Sequence, residues 1–211
     1  MIEQDRSNME ILCITNRHLS VLDYMEQIRQ IAKAGPRAVI VREKDLPQPA
    51  YAQLATQVLA VCRQYHVPCI LHTYADTAVR LGVKALHLPL QALLTLPEEY
   101  RRQFSALGAS VHSTEEARKA QHAGATYLLA GHVFATDCKR GVPPRGLGFL
   151  QEVCRASDLP VYALGGIRAE NAMACIRAGA RGVCVMSECM RNQDLSQRFR
   201  AYACSADPPE R

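Results

Sequence analysis

The chain has 211 residues, 48% of them hydrophobic and 21% charged, with a formal net charge of +5 at pH 7. That length holds one sizeable core, and an α/β barrel takes this many residues as a single unit. The longest apolar runs fall far short of the roughly 20 residues a membrane span needs, and Glu3, Asp5, Arg6 and Glu10 interrupt the N-terminus where a signal peptide needs an apolar stretch. A soluble, cytoplasmic protein with no membrane partner is therefore expected.

Basic residues are scattered through predicted helices (Arg29, Lys33, Arg63, Arg101, Arg118) rather than massed, and there is no Trp. Nucleic acid is thus excluded as the expected partner, and a small anionic substrate fits better. Nine cysteines form no C-x-x-C pair, and most lie in apolar periodic segments, as Cys13, Cys69, Cys175 and Cys184 do. Reduced packing thiols are expected. Cys138 differs, because it sits in a polar stretch beside Lys139 and Arg140.

In chain order, Glu10 to Thr15 reads as a buried strand with the polar exit Asn16-Arg17-His18. Val21 to Ala34 carries Leu22, Met25, Ile28 and Ile31 at helical spacing and stops at Gly35-Pro36. Ala38 to Val41 is the second strand, leaving through Arg42-Glu43-Lys44, and Leu46 to Tyr65 is again helical. The alternation continues with strands at Pro68 to His72, Ala85 to Leu88, Phe104 to Ser110, Thr126 to Ala130, Pro160 to Leu164 and Gly182 to Met186. Helices are expected at Tyr74 to Leu81, Leu90 to Arg102 broken by Pro97, Thr114 to Ala123 capped by Ser113, Gly146 to Ser157, Ala169 to Ala178 and Glu188 to about Ala203. Eight strand–helix repeats predict a single-domain (β/α)8 TIM barrel over residues 1–211, with residues 10–203 as its body and flexible ends at 1–9 and 204–211. Gly35, Gly124 and Gly179 each close a helix and lead into a strand, as the turns at the bottom of such a barrel require.

Active sites of these barrels gather at the carboxyl ends of the strands. Those ends bring Asn16, Arg42, Glu43, His72, His87, Ser110, His112, His132, Lys139, Gly165, Gly166 and Ser187 to one rim. The stretch Gly131 to Gly141 supplies a titratable His with Thr136, Asp137, Lys139 and Arg140 close behind it. A surface loop explains a lone His equally well, but not the concentration of polar groups at every strand exit. His87 reads as a satisfied core histidine, and Arg42 and Glu43 have the option of pairing with each other. Gly165-Gly166 after strand seven, with Ser187 after strand eight, fits a phosphate site, where glycine lets backbone N–H groups approach the oxygens.

Val41-Arg42-Glu43-Lys44, Ser110-Val111-His112-Ser113, the loop through Lys139, Leu164-Gly165-Gly166-Ile167 and Val185-Met186-Ser187 together resemble the thiamine phosphate synthase superfamily. The resemblance runs from about Ile11 to about Ala201, and Gly131-His132-Val133-Phe134 through Lys139 is similar to its thiazole tautomerase branch, where synthases carry a proline in place of His132. A synthase of this family joins a pyrimidine diphosphate to a thiazole phosphate. It holds the leaving diphosphate with magnesium on an Asn-Asp after strand three and an Asp after strand four. This chain has His72-Thr73 and Ala92 there.

The resemblance therefore implies an isomerase, a thiazole tautomerase of thiamine biosynthesis that aromatises a thiazole phosphate carboxylate by moving a proton from ring C2 to the exocyclic carbon. It needs neither cofactor nor metal. General acid/base catalysis of this kind contributes about 10²–10⁴ in rate. His132 is the implied proton carrier, with Glu43 orienting it or assisting. Arg42, Lys139 or Ser110 would hold the substrate carboxylate, and Gly165, Gly166 and Ser187 the phosphate. The alternatives are a synthase with an unusual metal site and a non-catalytic, regulatory phosphate-ligand binder. Cys189, Met190 and the outer face of the last helix are the candidate contacts of a homo-oligomer, and the loop after His132 is a candidate lid.

Overall fold

The structure, a computed structural model, describes residues 9–204. The expected flexible ends therefore lie, but for Met9 and Cys204, outside the described residues. Eight parallel strands, β1 (Glu10–Ile14), β2 (Ala38–Val41), β3 (Cys69–His72), β4 (Ala85–Pro89), β5 (Ala106–Val111), β6 (Tyr127–Gly131), β7 (Val161–Leu164) and β8 (Gly182–Val185), follow one another around a closed barrel. Closure is made by β8 on β1, with Ile11 opposite Val183 and Cys13 opposite Val185. The chain is a single-domain TIM barrel.

Each strand is apolar on both faces because both are covered. Alternation within β1 shows the two destinations: Leu12 and Ile14 join Ile40, Ile70, Leu129 and Cys184 inside the barrel, while Ile11 and Cys13 pack outward under the helices. Two tyrosines and a histidine also fill the interior. His87 lies 5.5 Å, ring to ring, from Tyr127, whose ring meets Tyr162 edge-on at 6.0 Å. Gly108 makes room for this stack, since a Cβ there would fall 2.1 Å from the Tyr127 ring.

The helices are α1 (Tyr24–Lys33), α2 (Gln48–Gln64), α3 (Ala75–Arg80), α4 (Leu90–Leu94), α5 (Glu98–Arg101), α6 (Thr114–His122), α7 (Gly146–Ala156), α8 (Ala169–Arg177), α9 (Ser187–Met190) and α10 (Leu195–Cys204). α1 begins three residues later than the periodicity predicts, because the Asp23 carboxylate accepts from the N–H groups of Met25 and Glu26 and caps the helix there. Ser113 caps α6 as expected, accepting from the Glu116 N–H, while the Glu116 carboxylate accepts from the N–H of His112.

The long C-terminal helix is in fact two. Gln27 donates to the carbonyls of Cys189 and Asn192, Asn192 donates to that of Glu188, and Asp194 accepts from the Gln197 N–H. Side chains thus end α9, and α10 follows with Asp194 at its start. The helix-closing Gly35, Gly124 and Gly179 all have positive φ (69°, 85° and 100°), the conformation that favours glycine. Among the described residues no helix is long and apolar enough to cross a membrane.

The lower end of the barrel is closed by one carboxylate. Glu10 accepts from the Tyr162 hydroxyl and from Arg181 Nε at 3.0 Å, with Arg37 Nε at 3.4 Å. Burial alone would raise its pKa, but the Tyr162 and Arg181 hydrogen bonds and the two arginine charges hold it below the ordinary carboxylate value.

Candidate active site at the barrel mouth

The carboxyl ends of the strands open into a cavity of about 1160 Å³. Of the residues singled out from the sequence, Arg42, Ser110, His132, Lys139, Gly165, Gly166 and Ser187 line it together. Glu43 does not. Arg42 and Glu43 are neighbours at a strand exit, where successive side chains point to opposite faces, so one faces the mouth and the other the barrel wall.

Glu43, 3% exposed, is instead the centre of a structural knot. Its carboxylate accepts from Thr15 Oγ1 at 2.8 Å, from the Arg17 N–H at 3.0 and 3.2 Å and from the Tyr24 hydroxyl at 3.2 Å. Arg17, not Arg42, is its ion-pair partner, at 3.4 Å. Thr15 Oγ1 in turn accepts from the Arg42 N–H at 3.0 Å, so Glu43 fixes the backbone of Arg42 through one hydroxyl. Tyr51 of α2 adds a second tie: its hydroxyl donates to the Val41 carbonyl at 2.7 Å and accepts from the His72 N–H at 2.9 Å.

His132 follows β6 through a cis Gly131–His132 peptide and is 4% exposed. Its Nε2 lies 3.3 Å from the Val142 carbonyl. A carbonyl only accepts, so in this bond Nε2 is the donor. Nδ1 is buried and has no hydrogen-bond partner among the described residues. The loop after β6 folds back over the ring, with Arg145 N–H on the His132 carbonyl at 3.0 Å and Gly146 N–H on that of Val133 at 2.9 Å. Gly165 has to be glycine here for packing alone: its φ is +99°, and a Cβ would lie 2.3 Å from that of His132.

Across the mouth, at the exits of β2 to β6, the lining is basic. Lys139 Nζ stands 3.4 Å from His112 Nε2, and Arg42 and Lys44 complete the group. Burial lowers the pKa of Arg42, while the charge of Arg42, then burial and the charge of Lys139, lower that of Lys44. His72, which also lines the cavity, is pushed down to about 3 by burial and by Arg42 and Lys44. His87 is 1% exposed with both ring nitrogens engaged, Nδ1 by Tyr127 at 3.1 Å and Nε2 by Ser110 at 2.9 Å, so it is a buried, satisfied histidine that also orients Ser110. Cys138 is an exposed thiol on the same loop as Lys139. Sequence reasoning assigned no role to Lys44, although it stands in the same phrase as Arg42, and it missed Tyr51, which carries no signal of its own inside an amphipathic helix.

The magnesium that the synthase resemblance implies finds no suitable donors among the described residues. β3 ends on His72, whose Nδ1 engages Thr73 Oγ1 at 2.5 Å, and Ala92 lies in α4. Asp76 accepts from the Tyr100 hydroxyl. Among the described residues no group of three or more His, Cys, Asp or Glu is placed to hold a metal ion.

Comparison with known proteins sets these residues in a family. The family model described as thiamine monophosphate synthase matches residues 11–189. A thiamine-phosphate synthase of Roseiflexus castenholzii is 36% identical over 174 residues, covering 80% of this chain and 75% of its own. One from Lysinibacillus sphaericus is 36% identical over 180 residues, covering 83% and 84%. Among solved structures, thiamine phosphate pyrophosphorylase from Pyrococcus furiosus superposes with a TM-score of 0.80 at 26% identity, over 95% of this chain and 96% of that one.

These relatives correct the expected isomerase. The thiazole tautomerase assignment leaned on the 131–139 loop and on His72-Thr73 and Ala92 standing where synthases carry metal-binding carboxylates, whereas the similarity extends around the whole barrel to enzymes named as synthases, which are transferases. Glu43, expected beside His132, is bonded elsewhere. With a family model matching most of its length and relatives more than 30% identical across four-fifths of it, the chain belongs to the thiamine monophosphate synthase family.

Proposed function

We propose that the chain is a thiamine-phosphate synthase, a transferase that joins a pyrimidine diphosphate to a thiazole phosphate. The observation that carries this reading is a single mouth with two anion-receptive sides: a cationic one at the exits of β2 to β6 and a glycine-lined one at the exits of β7 and β8. Two phosphorylated substrates need two such sides, facing each other across the space where the new bond forms.

In the reaction the thiazole ring nitrogen forms a bond to the exocyclic methylene carbon of the pyrimidine. The bond from that carbon to the diphosphate oxygen breaks, its electron pair leaving with the diphosphate, and no proton has to move. Negative charge therefore builds on the leaving oxygen, and fixed positive charge is the group best placed to stabilise it. Arg42, Lys44 and Lys139 fill that role, Arg42 with its backbone held by Thr15. Gly165, Gly166 and Ser187 receive the thiazole phosphate. His132 offers Nδ1 to a hydrogen-bond donor on a substrate, and Ser110, held by His87, binds beside it.

The test is to incubate the purified protein with both substrates and to quantify thiamine phosphate and pyrophosphate by chromatography. Equimolar appearance of the two is expected. Absence of both products, with and without added magnesium, would remove the synthase reading.

A further inference from the structure

We propose that the mouth binds the diphosphate group with side-chain cations alone, no divalent metal ion taking part. The inference rests on the synthase reading only for the identity of the ligand; the charge balance of the cavity carries the rest. Arg42, Lys44, Lys139, Arg140, Arg168 and Arg191 line it. The two carboxylates that line it among the described residues are already committed: Glu188 accepts from Arg198 Nε at 2.6 Å, and Asp137 lies 3.7 Å from Arg140 and 3.8 Å from Arg191.

Among the described residues no carboxylate faces the cavity on the β2 to β5 side, because Glu43 is turned into the wall. Where a metal ion would need hard oxygen ligands, the chain presents the buried imidazole of His72, closed onto the Thr73 hydroxyl. A divalent cation entering here would meet like charge from Arg42 and Lys44 and gain no anionic ligand. A diphosphate entering the same space relieves the mutual repulsion of Arg42, Lys44 and Lys139, which is already felt in the lowered pKa of Lys44.

Calorimetric titration of the whole protein with inorganic pyrophosphate, once in EDTA and once in excess magnesium chloride, tests this. Binding in EDTA is expected to be at least as tight as in magnesium, which competes by complexing the ligand, and to weaken as monovalent salt is raised. The exposed-lysine variants Lys44→Met and Lys139→Met should each weaken binding in EDTA about tenfold. Tenfold or greater tightening by magnesium, no binding in EDTA, or unchanged affinity in both variants would overturn the proposal. The two readings fail separately. Metal-free pyrophosphate binding without formation of thiamine phosphate would sink the synthase and leave this inference standing. Product formation and pyrophosphate binding that both require magnesium would do the reverse.

Discussion

The two ends of the barrel treat charge in opposite ways. At the lower end Glu10 is matched by Arg37, Arg181 and the Tyr162 hydroxyl, so that each charge has a partner. At the mouth Arg42, Lys44 and Lys139 share one cavity, and among the described residues no carboxylate lines it beside them at the exits of β2 to β5; burial lowers the pKa of Arg42, and the charges of Arg42 and Lys139 lower that of Lys44. Matched charge serves the fold, and unmatched charge waits for a ligand.

That contrast breaks most visibly at Arg42. Arg42→Met should lower kcat/KM for thiamine phosphate formation by about 10²-fold or more, the scale of losing one preorganised charge donor. Its midpoint in urea should stay the same or rise, because repulsion on Lys44 is relieved. A variant that lost stability along with activity would make Arg42 a structural residue. Next in size is Tyr51→Phe. The Val41 carbonyl and the His72 N–H would both lose their partner, for a cost of about 1–3 kcal/mol measured by denaturant unfolding.

A pH experiment sharpens the comparison further. Unfolded, His72 takes up a proton near the ordinary value of 6.5, whereas in the fold burial and then Arg42 and Lys44 hold it off until about pH 3. Acidification across that window favours the unfolded chain, so stability present above pH 6.5 is lost progressively as the pH falls. His72→Asn should make this decline shallower, as read from urea midpoints at several pH values. The smallest effect is expected at the lower end. Glu10, held below its ordinary value of 4.5, supports the fold above that pH and stops doing so as acid protonates it. Glu10→Gln should remove this acid-side slope, as read from urea midpoints between about pH 3 and 6.

Much of this was legible in the sequence, and the exceptions have identifiable causes. Apolar phrases of four to six residues, each followed by a helical stretch and three times by a closing glycine (Gly35, Gly124, Gly179), locate the strands because the strands are covered on both sides. Closure itself leaves no local mark: Glu10 opposite Gly182 is a contact between chain ends, supported here only by the count of repeats. The rim was legible because strand exits are fixed once strands are placed. Glu43 was misplaced because its adjacency to Arg42 in sequence is separation in space. The role given to His132 shows a different limit, since one matching loop and the carboxylates missing at Thr73 and Ala92 say less about the reaction than similarity over the whole barrel.

The ring stack within the barrel has a consequence for how such a mouth can change over time. His87, Tyr127 and Tyr162 stand in series from Ser110 at the top to Glu10 at the floor. Aromatic planes do not shorten or bend, so the height at which Ser110 is presented is levelled from below, like a post resting on its footing. The loops above are then free to drift toward new ligands while that post keeps its level. A single methyl group added at Gly108 would tilt it from the side and disturb the mouth from a position outside the cavity lining.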